Sequence, residues 1–368
     1  MSVIIWTVCF VAGIGFFAYQ MNQRFGLLLK ARRDHHRDYR LKHLAERIKV
    51  TLIYAFGQKK FFIGDQPAGI MHAIIFWGFI LLSVQVITMF ARGWFPNFIV
   101  PGFSVGLLGG VYALSKDIFQ VLVLLGVMVG LYRWVIAKPT RLMGFLPAEA
   151  KLRNHSHWEA VLILLFIATI MISGYFYDAG RIIVLGDDPH VIAESRWQPI
   201  SLWLASFLPS ESAASIATTA SWWIHNLVIL VFLNLLPRSK HFHIITAIPN
   251  VFLSKLEPMG RLPKYNFEAE DAIFGRSQPN HFTWKQVLDM FSCTECGRCS
   301  SMCPATATGK TLAPRQFLLN LRDSVYENQE KILKTGTDGE YDVVVGEGKA
   351  VIDDVIWSCN ACRACEEA

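Results

Sequence analysis

The sequence predicts an all-α membrane protein, a five-helix transmembrane bundle followed by a smaller, mainly helical domain. Three observations carry that prediction. The 368 residues are 53% hydrophobic and only 17% charged, where soluble domains carry roughly 25% charged residues; the mean hydropathy is +0.35. Five apolar stretches reach or approach the length of about 20 residues that a helix needs to cross a bilayer core. The loops between them alternate between many and few Lys and Arg. Aromatic residues make up 13%, with 26 Phe and 11 Trp, which suits interfacial belts. Eight cysteines in this length are too dilute for a secreted disulfide scaffold. The apolar content also excludes a disordered chain.

The spans fall at about 3–19, 68–90, 118–136, 158–176 and 221–236. The first has no positive n-region and no small-residue cleavage site, so it reads as a retained anchor and not as a signal peptide. The fifth is interrupted at Pro237, past which a kinked helix can continue. Residues 20–66 hold eleven Lys and Arg, 91–117 two, 137–157 four, and 177–220 only two. This asymmetry puts the N-terminus outside the membrane and everything after residue 237 in the cytoplasm. The net charge of +6 is therefore a topology signal. The basic run at 30–49 sits beside a span and includes the amphipathic stretch Leu41–Phe56, so lipid headgroups explain it more simply than nucleic acid. Residues 1–250 are then the membrane domain, and 251–280, punctuated by Pro258, Pro263 and Pro279, a linker. Residues 281–368 form the cytoplasmic domain.

Seven cysteines lie in two clusters within that last part. Cys293, Cys296, Cys299 and Cys303 follow C-x2-C-x2-C-x3-C-P in full, with Pro304 closing the motif. Cys359, Cys362 and Cys365 repeat the first three positions, and the pattern asks for its next cysteine just after Ala368. The domain is thus expected to be truncated at its C-terminus. Three thiolates two residues apart wrap three corners of a cubane, while the fourth, followed by proline, ligates the other cluster. By that crossing, Cys359, Cys362 and Cys365 share one [4Fe-4S] cluster with Cys303, and Cys293, Cys296 and Cys299 serve the second. Zinc would need four ligands rather than two such runs, and disulfides do not suit a cytoplasmic domain. Lone Cys9, in the first span, reads as a small buried hydrophobe. Between the motifs, 314–333 reads as a helix with Phe317, Leu318, Leu321 and Val325 on its apolar face. Residues 337–351 read as a hairpin or loop around Asp338-Gly339. Together these describe a two-cluster ferredoxin-type domain.

Histidines at membrane depth are rare and usually functional. His225 and His243 are 18 residues apart, five turns of a continuous helix, and so share a face about 27 Å apart along the axis. Such a pair suits two stacked b-type haems held between facing helices. His72, at the inner end of the second span, is the candidate partner of His243. His157 and His155, at the inner start of the fourth span, are weaker candidates, as is His241, which points away from His243. The outer half of the second span offers Ser83 and Gln85 but no histidine opposite His225, which leaves one or two haems.

The five-span part, with His225, His243 and His72 so placed, resembles the cytochrome b gamma subunit of respiratory nitrate reductase. Phe282-Thr-Trp-Lys-Gln, CTECGRCSSMCPA, TGKTLAPRQ and IWSCNACRACEEA resemble the iron–sulfur subunit of heterodisulfide reductase. A fusion of the two is similar to bacterial membrane-bound electron transfer flavoprotein:quinone oxidoreductases. The resemblance implies electrons entering from a soluble electron transfer flavoprotein, passing through the clusters to haem, and reaching menaquinone or ubiquinone. Quinol oxidation by a heterodisulfide-reductase-like or sulfur-metabolism subunit uses the same wiring in reverse. A passive membrane anchor of a redox complex is the alternative from another class.

Overall fold

A computed structural model describes residues 2–34, 40–103, 106–257, 268 and 275–367, without the side chains of residues 148 and 150–156. Among the described residues the protein is helical, with no strand and two isolated bridges, Arg32–Thr283 and Val345–Val351. The helices run α1 (Val3–Lys30), α2 (Leu44–Thr51), α3 (Gln66–Ala91), α4 (Gly106–Tyr132) and α5 (Ala150–Val184). They continue as α6 (Pro189–Ser195), α7 (Pro199–Ala205), α8 (Glu211–Leu235) and α9 (His243–Phe252). The later ones are α10 (Trp284–Phe291), α11 (Pro314–Glu327), α12 (Gln329–Thr335) and α13 (Asp353–Trp357). Five helices, α1, α3, α4, α5 and α8, are long and apolar enough to cross a membrane. Helices α1, α3 and α5 contain their expected spans and run past them, because helix propagation into polar residues is cheap once a nucleus exists; α4 and α8 begin ahead of theirs and complete them through the turns Arg133–Ala137 and Leu236–Arg238.

The chain separates into two compact units. The first comprises Met1–Phe17, Lys60–Ala137 and Ala160–Leu235; the second comprises Ala18–Lys59, Lys138–Glu159 and Leu236–Ala368. Each therefore draws on several stretches of sequence. The expected linker at 251–280 falls largely on residues outside those described.

In the first unit an apolar cluster joins Leu82, Val123, Val127, Leu164, Ile170 and Met171. Gly78 lets α3 and α4 close on each other, since a Cβ there would lie 2.3 Å from the Val123 side chain. A second cluster is aromatic: Trp6 meets Trp222 at 4.9 Å and Trp94 at 5.6 Å between ring centroids. Two of the three indoles use their polar edges, Trp222 Nε1 donating to the Met89 carbonyl at 3.0 Å and Trp94 Nε1 to Thr7 Oγ1 at 2.8 Å. Cys9 packs against this cluster as an apolar side chain.

The second unit is built on Leu27, Phe242, Phe282, Phe291, Leu321, Val325 and Ile332. Helix α10 starts in a capping box between Thr283 and Gln286 and buries Val287, Leu288, Met290 and Phe291. The helix expected over 314–333 is two, α11 and α12, separated at Asn328. Its foreseen apolar face packs in this core, with Leu321 and Val325 buried. Residues 337–351 form turns closed by the single bridge Val345–Val351. Two arginines of the basic run are internal ties and not headgroup contacts. Arg47 is fully buried, and its Nη1 donates to the Phe252 and Ser254 carbonyls at 2.9 and 2.8 Å. Arg40 Nη1 donates to the Leu253 carbonyl at 2.7 Å. Together they satisfy orphan carbonyls at the end of α9.

The continuous helix from His225 to His243 does not form. Helix α8 ends at Leu235, and two short 3-10 turns, Leu236–Arg238 and Lys240–Phe242, precede α9. Pro237 has no N–H to carry the ladder, and the Ser239 hydroxyl accepts from the His241 amide at 3.1 Å, restarting the chain in a new direction. The shared face expected of His225 and His243 therefore does not follow, and His241 is not opposed to His243: their rings lie 6.0 Å apart.

Candidate metal centres

The two cysteine motifs take the same turn. Left-handed residues flank the middle cysteine of each: Glu295 (φ 58) and Gly297 (φ 75) around Cys296, Ala361 (φ 52) and Arg363 (φ 61) around Cys362. The Glu295 amide donates to the Cys293 sulfur, and the Ala361 amide lies 3.4 Å from the Cys359 sulfur. The three of these left-handed residues that are not glycine cost roughly 1–2 kcal/mol each, and a turn that presents amides to sulfur gives the cost a purpose. Cys299 interacts electrostatically with Cys296 and Cys293 of its own turn and with Cys365 of the other. Cys365 likewise interacts electrostatically with Cys303 and Cys359, so the thiols of the two motifs feel one another. Among the described residues no three His, Cys, Asp or Glu converge on a point that would hold a single metal ion. Cubane ligands stand further apart, because each thiolate holds a different iron. The residues present therefore fit iron–sulfur clusters.

Burial raises the Cys293 thiol to about 11 and the Cys299 thiol to about 12. Burial also raises Cys365. Iron must displace these protons to bind.

The first turn is braced by residues that local sequence pattern did not mark. Arg315, on α11, donates to Glu149 through Nε at 3.0 Å and Nη2 at 2.7 Å. Its Nη1 donates to the Arg141 carbonyl at 3.0 Å. Glu149 also accepts from the Phe145 and Leu146 amides at 2.6 and 3.2 Å. Both side chains of this pair are buried. The loop 138–149 is thereby held against the turn, where a Cβ on Gly297 would lie 2.1 Å from the Arg141 carbonyl oxygen. Glu295 is paired with Arg322 at 3.0 Å.

The histidines separate by environment. His225 is buried in the first unit; its Nδ1 lies 3.0 Å from the Ile170 carbonyl and 3.2 Å from the Ser173 hydroxyl. The carbonyl can only accept, so Nδ1 carries the proton and Nε2 presents a lone pair. That Nε2 is buried with no hydrogen-bond partner. Fixing one ring nitrogen on a carbonyl while the other waits is how proteins prepare metal-binding histidines, so His225 fits an axial haem ligand. His72, in the same unit, stacks on Phe61 at 4.1 Å. In the second unit His243 Nδ1 lies 2.9 Å from the Lys240 carbonyl, and His241 Nδ1 lies 3.3 Å from Glu159. His157 sits edge-on to Trp158 at 5.4 Å. The His155 side chain is outside the described residues.

The first unit also holds a buried charge network. Lys116 bridges Asp178 and Glu194, each at 3.0 Å, and Arg181 reaches Glu194 at 3.1 Å. Asp117 accepts from the Ile200 amide at 2.7 Å and the Ser201 hydroxyl at 2.7 Å, capping α7. Burial raises the Glu194 carboxyl, but Lys116 and Arg181 outweigh it and hold it at about 2. Asp117 and Asp178 fall just outside the apolar spans 118–136 and 158–176, so apolar length alone does not mark them.

Residues 289–368 match the 4Fe-4S dicluster domain. A ferredoxin-type C-terminal domain follows five membrane helices. The chain is 30% identical over 387 aligned positions to a Bacillus subtilis protein named iron-sulfur-binding oxidoreductase FadF, covering 95% of this chain and 51% of that one. It is 30% identical over 388 positions to the EtfAB:quinone oxidoreductase of Syntrophomonas wolfei, covering 96% and 50%. A membrane-anchored ferredoxin of Chromohalobacter salexigens is 32% identical over 118 positions, 29% of this chain and 18% of that protein. The chain thus spans about half the length of the first two of these relatives. No solved structure matches it.

Proposed function

We propose that this chain relays electrons between a soluble redox partner and membrane quinone, using two [4Fe-4S] clusters and b-type haem. One observation carries the reading: the same left-handed turn recurs around Cys296 and Cys362, the middle cysteines of two C-x2-C-x2-C runs. Cys359, Cys362, Cys365 and Cys303 would hold one cluster. Cys293, Cys296 and Cys299 would supply three ligands of the other. His225 would hold haem through Nε2, with His72 and His243 as further axial candidates. When bound, these groups supply the one-electron steps that connect a flavin donor to a quinone acceptor.

The chain's own residues position and insulate. The Glu295 and Ala361 amides donate to cysteine sulfurs, a contact that tunes cluster potential. Arg315 and Glu149 tie the first turn to the loop 138–149. Similarity to a protein named EtfAB:quinone oxidoreductase favours electron transfer flavoprotein as the soluble partner. The Lys and Arg asymmetry of the loops favours a cytoplasmic iron–sulfur domain. Quinol oxidation would use the same residues in reverse.

The test is a dithionite-reduced minus oxidised optical spectrum of the purified protein, with pyridine haemochrome quantitation. One or two b haems per chain are expected, and one fewer in His225→Leu. A preparation that keeps its iron–sulfur signals but contains no haem would sink the cytochrome part of the reading. Unchanged haem in His225→Leu would remove that residue from the ligand set.

A further inference from the structure

The second unit contains a cavity of about 450 Å³ that electron transfer leaves without a role. That volume is in the range that holds small ligands. Tyr19 and Arg24 of α1, Arg238 after Pro237, and Gln329, Glu330 and Lys334 of α12 line it. Arg24 ties the walls together: its Nε donates to the Pro237 carbonyl at 2.8 Å and its Nη1 to Gln329 Oε1 at 2.7 Å. The same guanidinium lies 3.7 Å over the Tyr326 ring. Three cations thus face one carboxylate.

The position of the cavity selects the ligand. The apolar run of α1 ends at Tyr19, and the fifth membrane helix with its terminal turn ends at Arg238. Both lining segments therefore leave the hydrocarbon here, and a tyrosine at this point suits the headgroup level. Basic pockets at the ends of spanning helices take up the phosphates of lipid headgroups.

We propose that this cavity binds the headgroup of an anionic glycerophospholipid such as phosphatidylglycerol. The phosphate oxygens accept from Arg238 and Lys334, and the headgroup hydroxyls donate to Glu330 and the Gln329 carbonyl. Free inorganic phosphate shares the first half of that chemistry and lacks the second.

The experiment is native mass spectrometry of the full chain purified in detergent from phosphatidylglycerol-containing membranes, with cofactor content as the check on folding. The wild type retains a single phosphatidylglycerol and exchanges it poorly for phosphatidylcholine. Loss of one cation lowers retention about fivefold, the contribution of a single Lys or Arg near an anionic surface. Arg238→Gln with Lys334→Gln compounds the loss, and Glu330→Leu, which has no acceptor for the headgroup hydroxyls, lowers retention of phosphatidylglycerol. If the double variant does not fold, the single variants Lys334→Gln and Glu330→Leu decide. Equal retention in both, or equal retention of phosphatidylcholine, overturns the proposal. So does inorganic phosphate binding to delipidated protein as tightly as the lipid, which would make this a free-anion site.

Discussion

At the first cysteine turn Gly297 takes the left-handed position that Arg363 takes at the second, and their surroundings account for the difference. Around Gly297 the Arg141 carbonyl leaves no room for a Cβ. Around Arg363 the chain is open: Cys359, Cys362 and Cys365 are exposed, and neighbouring Trp357 is 84% exposed. The first turn is bonded to its own domain through Arg315, Glu149 and Arg322. The segment leading into the second is tied by the Thr311 hydroxyl, which lies 2.7 Å from Asp354 and 2.9 Å from Ser358. Cluster geometry thus dictates the backbone of both turns, while among the described residues a buried ion pair braces only the first. The first should therefore hold its shape without iron better than the second.

The most destructive test of this comparison is loss of a ligand. Cys303→Ser should abolish the same reduced-cluster electron paramagnetic resonance signal as Cys362→Ser, although Cys303 belongs to the first motif by sequence. Cys296→Ser should abolish the other signal. If Cys303→Ser instead matches Cys296→Ser, each motif serves its own cluster and the crossing is wrong.

Next in size is the brace. Glu149→Gln leaves Arg315 charged and buried without its partner, a change that costs about 3–5 kcal/mol at buried pairs. The thermal midpoint should fall, and the first-motif cluster should become labile to an iron chelator. The second-motif cluster should release iron as it does in the wild type. Equal sensitivity of both clusters would show that the brace does not act locally.

The cysteine spacing made the clusters legible because a C-x2-C-x2-C run encodes its ligation within seven residues. Spanning helices are legible for the same reason, since apolar length is a local property. Arg315–Glu149 is different: 166 residues separate the partners, and nothing local marks Glu149 as anything but a surface carboxylate. Lys116 and Asp178 likewise pair at 3.0 Å between separate helices far apart in sequence. The histidine spacing misled for the converse reason. Eighteen residues equal five turns only if the ladder continues, and Pro237 with Ser239 ends it.

The thiols offer a subtler contrast. Burial favours the neutral form of Cys293 and Cys299, raising them to about 11 and 12, against about 8.5 in an unfolded chain. Between those values the iron-free fold binds more protons than the unfolded chain. That contribution is complete below about pH 8.5 and is lost as pH rises through the folded values. The denaturation midpoint of iron-free protein should fall from pH 8 to 10, whereas the cluster-bearing protein, whose thiolates are already ligated, should show no such trend. A flat iron-free profile would mean that the first turn opens to water when iron leaves.

The smallest effect belongs to the second turn. Arg363→Gly removes a left-handed penalty of roughly 1–2 kcal/mol but adds glycine's backbone entropy of roughly 0.5–1 kcal/mol. It also breaks the exposed Arg363–Glu366 pair, which contributes about 0–1 kcal/mol. The three nearly cancel, so chelator resistance of the second-motif cluster should change by less than about 1 kcal/mol. A loss of several kcal/mol would show that Arg363 supports the cluster in a way the exposed geometry does not, and the two turns would then be braced alike.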